Sequence, residues 1–368
     1  MNQAEVLVRR AEYPVPGALL EEILERCAPP LAGKRVLVKP NCLMGLPPER
    51  AVTTHPSLVR ALVEAVRRRG GRVVVGDNPG ARGYGSSRRC FRDAGLLEAA
   101  GESFTELGAS TAIVKLHSRI AGQAVVSREV LEADVVISAP KFKTHCLTLL
   151  SGAVKNSYGI LAGAEKSRLH AEARTPSRFA EVLVDVYAVR PPDLAVMDAV
   201  LAMDGDGPTH GRPRQVGLVL ASSDPVALDA TAARLAGVPP ERVEHLRLAA
   251  ARSLGTIAAE AIRVDGPLDP VDGFKLPSNF RAGVLTWLSS RIVFNALHRS
   301  RLRVNVRKCR RCGACAAACP AGAMAQRDGA YVIDAKRCQH CFCCAELCPE
   351  GAVEVQGTLG ALLRRQAT

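Results

Sequence analysis

Apolar residues along this chain fall into short runs that alternate with longer stretches of helical spacing. The runs RVLVKPN (35–41), RVVVGDNPG (72–80), ADVVISAP (133–140), DLAVMDAV (193–200) and QVGLVLAS (215–222) are short, rich in β-branched residues and bounded by turn residues. They predict strands. Between them, HPSLVRALVEAVRRRGG (55–71), SRFAEVLVDVYAVR (177–190) and PVALDATAARLAG (225–237) place apolar residues three and four apart, as amphipathic helices do. The first has Pro near its start and Gly-Gly past its end, which is helix punctuation. Strands that are apolar on both faces, separated by amphipathic helices, predict an α/β fold with a mainly parallel sheet covered by helices on both faces. The polar clusters KPNCL, GDNPG, PKFKTH and MDGDGPTHG each follow a strand directly or after a short link. In such sheets ligands bind beyond the carboxyl ends of the strands, so these clusters predict one shared crevice. The competing reading is a set of ordinary polar turns.

The pattern changes after about residue 266. GPLDPVDGFKLPSNF is rich in Pro and Gly and reads as a linker; VLTWLSSRIVFNALH (284–298) is amphipathic; a cysteine-rich stretch follows. The expected organisation is an α/β domain over 1–266, a linker and amphipathic helix over 267–302, a cysteine-rich domain over 303–357 and a tail over 358–368. Two domains suit 368 residues, because one core rarely serves beyond roughly 250–300 residues.

The net charge of +13 raises the question of nucleic acid or a membrane surface. The arginines are scattered and aromatics make up only 4% of the chain, so no stacking surface or basic stripe is present, and a nucleic-acid partner is not expected. No apolar run reaches the ~18 residues of a membrane span, and the N-terminal stretch lacks an apolar signal core, so the expected location is cytoplasmic, with no integral membrane segment.

Nine of the thirteen cysteines lie between Cys309 and Cys348. The stretches CRRCGACAAACP (309–320) and CQHCFCCAELCP (338–349) are each C-x2-C-x2-C-x3-C-P. This is the bacterial ferredoxin run, in which three cysteines bind one cluster and the fourth crosses to the other. The spacing predicts two 4Fe–4S clusters, one held by Cys309, Cys312, Cys315 and Cys348, the other by Cys338, Cys341, Cys344 and Cys319. The strands YVID (331–334) and AVEV (352–355) complete a small α+β two-cluster ferredoxin-like domain. Zinc also takes four thiolates, but eight cysteines in duplicated runs closed by Cys-Pro favour iron–sulfur. Cys343 is a ninth thiol in the second run and reads as a bystander, with an alternative ligand role as the other option.

Taken together, VLVKPNCL, TTHPSLVRALVEAV, GRVVVGDNPG, ADVVISAPKFKTHCLTLLSGAVKNSYGI, LAVMDAVLAMDGDGPTHG and SSDPVALDA resemble the domain of unknown function 362 family over roughly residues 5–255. That family is often fused to, or accompanied by, a ferredoxin module. The resemblance implies the domain assignment and no catalytic residue.

The candidate site therefore rests on residue chemistry. Four of the ten lysines, Lys141, Lys143, Lys155 and Lys166, fall between Glu129 and Ser167, a stretch with no arginine between those ends in an arginine-rich chain. Lysine offers a compact charge that titrates when buried, which arginine does not. We expect Lys141, Lys143, His145 and Lys155 to be catalytic, with Lys39, Asn41, Thr54, Asp77, Asn156 and Asp198 contacting substrate. Thr54 also reads as a helix cap, and Asp198 as the ion-pair partner of a lysine from 141–155. Asp204, Asp206 and His210 in MDGDGPTHG read as a turn, lacking the remaining ligands of a calcium loop; His170 reads as structural or as a proton donor. GYGSSR (83–88) lacks the third glycine of a dinucleotide fingerprint, and GAVKNSYG is not a Walker loop.

The expected function is that of an iron–sulfur oxidoreductase. It would take single electrons from an external donor of ferredoxin or flavodoxin type and reduce an anionic small molecule in the α/β crevice. The alternative is a non-catalytic electron-transfer adaptor that docks a partner enzyme, with 284–298 as its apolar contact. The sequence is compatible with a homo-oligomer.

Overall fold

The computed structural model describes residues 3–80, 87–281, 301–327, 329–339 and 341–356. The amphipathic segment 284–298 and the tail 358–368 lie outside the described residues. The strands of the large domain, in chain order, are β1 (Ala4–Arg10), β2 (Arg35–Pro40), β3 (Arg72–Val75), β4 (Thr111–Lys115), β5 (Gln123–Ser127), β6 (Val135–Ala139), β7 (Lys141–His145), β8 (Leu149–Ser151), β9 (Leu194–Asp204), β10 (Arg212–Ser222) and β11 (Ile262–Asp265). The main sheet runs β11-β1-β10-β9-β6-β2-β3, with β7 joined to β9 and β8 to β7; β4 and β5 form a separate hairpin.

β3, β2, β6 and β9 are mutually parallel, as expected, but β10 returns antiparallel beside β9 and β1. The sheet is therefore mixed: β9 and β10 run to 11 residues each and are joined by a tight loop, which permits only an antiparallel return. β1 was not singled out by the pattern. It pairs with β11 and carries the sheet to Asp265.

Alternation along the strands explains the two covering layers. In β2, Val36 and Val38 enter one core with the helices Gly17–Cys27 and Pro56–Arg68, whereas Leu37 enters the opposite one. The helices start where capping chemistry allows. Asp224 accepts from the backbone N–H groups of Val226 and Ala227, and Thr175 accepts from that of Arg178. The helix at Pro56 is capped by His55, not by Thr53 or Thr54.

The segment 141–145, expected only as a polar cluster following the strand at 133–140, is itself extended. It is strand β7, parallel to β9, with Lys141 opposite Asp198. All five of its residues are buried. Period-two geometry places Lys141, Lys143 and His145 on one face and Phe142 and Thr144 on the other.

In the cysteine-rich module, β12 (Arg301–Val304) pairs with β15 (Val353–Gln356) and β13 (Met324–Arg327) with β14 (Ala330–Ile333), each antiparallel and within one residue of expectation for β14 and β15. Each cysteine run holds a short helix, Ala314–Ala317 in the first and Cys343–Glu346 in the second. The runs are duplicates with a telling asymmetry. Gly313, Ala314, Ala317 and Ala318 of the first stand opposite Phe342, Cys343, Glu346 and Leu347 of the second. Gly313 has φ 76, a left-handed conformation natural to glycine; Phe342 holds the same conformation at φ 62. Its ring is buried in a core of the α/β domain, and Leu347 packs beside Met44, Val52 and Met203. The larger residues of the second run thus join it to the α/β domain.

Candidate functional site

The carboxyl ends of β2, β3 and β6, strand β7, the helix Ala153–Asn156 and the second cysteine run enclose a cavity of about 90 Å³. Lys141, Lys143, Lys155 and Lys166 all line it. These are the four lysines of the arginine-poor stretch. Asn41, Asp77, His145 and Asn156 line it too, together with Cys343 and Glu346 from the cysteine-rich module. Thus seven of the ten expected α/β residues reach the cavity. The other three stand behind its wall. Lys39 pairs with Asp77 at 2.7 Å and lies 3.3 Å from Asn156 Oδ1. Asp198 accepts from Lys141 Nζ at 2.8 Å, from Tyr13 OH at 2.5 Å and from the His55 N–H at 2.8 Å. Thr54 accepts from the Asn41 N–H at 2.9 Å and donates to Ala139 O at 2.6 Å, so it ties β2 to β6.

Glycines let the backbone come this close. A Cβ on Gly152 would collide with the Asp229 carboxylate, and one on Gly159 with Lys39 and Asp77. Asp229 accepts from the N–H groups of Ala153 and Val154 at 2.7 and 2.9 Å, fixing the short helix that carries Lys155 and Asn156. Burial raises the Asp229 carboxyl to about 7 against the opposing pull of those two bonds.

The lysines differ in how they are balanced. Lys141 is neutralised by Asp198, although burial still lowers it. Lys143 donates to Val52 O at 2.7 Å and, among the described residues, has no carboxylate within ion-pair distance. Burial, with the Lys155 charge second, brings it down to about 7. Lys166 donates to Asn78 O, and burial brings it to about 8. Lys155 is lowered by burial and partly restored by Glu346. The cavity thus gathers buried amines that burial holds below their ordinary affinity for protons, and a bound anion would favour their charged forms.

His145 stands at the junction of the modules. The Leu147 N–H donates to its Nδ1 at 3.1 Å, so in the neutral ring the proton sits on Nε2. Nε2 lies 3.3 Å from Glu346 Oε1, yet neither atom makes a hydrogen bond. Burial and the charges of Lys155 and Lys143 push His145 well below its usual value, so the contact is not an ion pair. His145, Cys146 and Glu346 bring one ligand atom each within 4.8 Å of one another. This set does not fit a metal ion: the Nδ1 lone pair is already engaged, metal on Nε2 would require an imidazolate, and two lysines stand close by.

His170 also lines the cavity, against Phe179 at 3.9 Å between ring centroids. Asp204 and Asp206 accept from the N–H groups of Lys275 and Ser278, so they tie the end of β9 and its loop to the segment read as a linker. Two contributors were missed. Lys166 was counted among the four lysines but not nominated. Glu346 was visible only as the counterpart of Ala317 in a comparison of the two runs. Cys343, read as a bystander, is buried and faces the cavity.

The cysteines fit two clusters. Cys309, Cys312, Cys315 and Cys348 line one small cavity, and Cys344 lies near Cys341, Cys319 and Cys338, with Cys315 of the other set as the next sulfur. The Sγ atoms of the two crossing residues, Cys319 and Cys348, each accept a backbone N–H at 3.2 Å, from Ala323 and Ala352. None of the thirteen cysteines is in a disulfide.

Residues 36–234 match the family described as Domain of unknown function (DUF362). The chain belongs to this DUF362 family. Residues 301–352 match the 4Fe-4S dicluster domain, so the DUF362 domain is fused to an electron-transfer module for two 4Fe–4S clusters. The chain is 35% identical over 251 residues to Thylakoid-associated protein sll1697 of Synechocystis sp., covering 67% of this chain and 77% of that protein. The lactate racemase apoprotein from Thermoanaerobacterium thermosaccharolyticum is similar at 12% identity and a TM-score of 0.42, covering 62% of this chain and 56% of that one. The chain therefore spans little more than half that racemase's length, and a likeness this distant says nothing about chemistry. Among the described residues of this DUF362 protein, no helix is long and apolar enough to cross a membrane.

Proposed function

We propose that this DUF362 protein is a cytoplasmic iron–sulfur oxidoreductase that reduces a small anionic molecule in the crevice between its two modules. One observation carries the reading. The helix Cys343–Glu346, inside the second cysteine run, walls the same cavity as Lys143, Lys155, Lys166 and His145. Cys309, Cys312, Cys315 and Cys348 would hold one cluster and Cys338, Cys341, Cys344 and Cys319 the other. When bound, these clusters supply one-electron carriers beside the cavity, fed by an external donor.

The chain's own residues divide the remaining work. Lys155 and Lys166 hold the anionic group of the substrate. Lys143, near neutrality in its affinity for protons, donates the proton that accompanies reduction, since a general acid works best with a pKa close to the operating pH. His145, held neutral with its proton on Nε2, orients the acceptor by hydrogen bonding and does not itself give up a proton. The Lys141–Asp198 and Lys39–Asp77 pairs keep the wall rigid. Phe342 and Leu347 close the junction against water.

The reading is tested by anaerobic reconstitution followed by mass spectrometry of retained small molecules, for the natural protein and for Lys143→Ala/Lys155→Ala. An anion retained by the first and lost by the second, at equal iron content, is the expected result. Equal retention by both contradicts the assignment of the cavity.

A further inference from the structure

The two cysteine runs face different surroundings. The second is covered by the α/β domain through Phe342 and Leu347, and its inner cysteines Cys343 and Cys344 are buried. The first turns outward. Of the eight cysteines expected to be ligands, Cys312 is the exposed one. In the same stretch of chain lie Arg307, Arg310 and Arg311, all exposed, and Val306, whose 61% exposure is unusual for a large apolar side chain; Arg310 lines the same small cavity as Cys312. Arg310 pairs with Glu350 at 3.3 Å. Arg307 and Arg311 have no carboxylate partner among the described residues.

We propose that the face formed by Val306, Arg307, Arg310, Arg311 and Cys312 is the docking surface for a small acidic one-electron carrier protein. The inference rests on the reading of the chain as a reductase supplied from outside. A carrier comes closest to a ligand at Cys312, which is exposed, whereas Cys343, Cys344 and Cys348 of the second run are buried and Cys338 and Cys341 half-buried. An exposed apolar side chain in a run with three exposed guanidinium groups, two of them without a carboxylate partner among the described residues, complements an acidic surface, steers its approach and loses strength as salt rises. Another basic face exists beside the helix Glu165–Ala173, where Arg174 and Arg178 border an open groove that includes Cys319. That groove is the weaker choice: Cys319 is half-buried, and its remaining guanidinium, Arg168, is already paired with Glu165 and Glu172.

The test uses the reconstituted full chain and measures its affinity for an acidic flavodoxin and an acidic plant-type ferredoxin at low and high salt. Three proteins are compared: the natural chain, Arg307→Glu/Arg311→Glu, and Arg174→Glu/Arg178→Glu. Cluster content, followed by absorbance and iron analysis, shows that each variant has folded. We expect at least one carrier to bind the natural chain in a salt-sensitive way. The first variant should bind it roughly tenfold or more weakly, and the second should bind it unchanged. Binding of neither carrier, equal binding by the first variant, or loss confined to the second variant overturns the proposal. So does loss by the first variant of attachment to phosphatidylglycerol vesicles with carrier binding intact, since the face would then be a membrane contact. No substrate enters these measurements. Failure of docking is therefore separate from failure of the reductase reading, which shows as reduced protein that no anion reoxidises.

Discussion

Glu346 of the second cysteine run lies 3.3 Å from Nε2 of His145 on strand β7, although 200 residues separate them in the chain. Among the described residues, the carboxylate is also the one acidic wall group without a salt-bridging lysine of its own, since Asp77 is paired with Lys39. A negative group inside an anion site opposes the ligand. Glu346→Ala, which restores the residue of the first run, should therefore tighten the binding of sulfate by on the order of 1–2 kcal/mol. Titration calorimetry reads this directly; weaker binding by the variant would show that Glu346 supports the site.

Sulfate keeps its charge across neutral pH, so its affinity reports on the protein alone. Lys143 and Lys166 are depressed by burial to about 7 and about 8. Both carry charge at lower pH and lose it as pH rises through those values, and only the protonated forms attract an anion. Sulfate affinity should fall between about pH 6 and about pH 9, and binding near neutrality should take up protons. Calorimetry in two buffers of different ionisation enthalpy measures the uptake. A flat pH profile would mean that neither lysine faces the ligand.

The Lys141–Asp198 pair is fully buried. Asp198→Ala leaves an unpaired ammonium in the interior and strands the donors of Tyr13 and His55, at an expected cost of about 3–5 kcal/mol. Adding Lys141→Met should restore part of that loss, giving a coupled double-mutant cycle in urea unfolding. Additive losses would contradict the pairing.

Gly152→Ala drives a methyl group into the Asp229 carboxylate. The Ala153 and Val154 N–H groups then lose their acceptor, at about 1–3 kcal/mol, and Lys155 moves with its helix. Both unfolding midpoint and sulfate affinity should drop together. A stable variant with normal affinity would mean that the helix is held by other contacts.

Much of this architecture was legible in the chain, and the exceptions have physical causes. Helices such as Pro56–Arg68 and Pro225–Leu235 announce themselves by spacing and by Pro at the first turn. The cysteine runs are equally plain. Strand β7 was hidden because buried lysines contradict the ordinary burial preference, although Lys141, Lys143 and His145 do alternate as a strand requires. The antiparallel β10 was in principle readable, since the short connection from β9 to β10 leaves no room for the crossover a parallel return needs, but the strand pattern alone does not weigh connection length. Lys166 and Glu346 join the site only through folding, yet the lysine count already included the first. Aligning the two cysteine runs exposes the second, because Phe342, Cys343, Glu346 and Leu347 replace Gly and Ala at the face that meets the α/β domain.

The most direct test of the proposed reductase is reoxidation of the chemically reduced, reconstituted protein by the anionic fraction of a cell-extract metabolite pool, followed anaerobically by visible absorbance. The natural chain should reoxidise. Lys143→Ala/Lys155→Ala, with the same cluster content, should stay reduced on that timescale. Equal rates for the two proteins, or no reoxidation of either, would contradict the placement of substrate reduction between the lysines of the α/β domain and the second cysteine run.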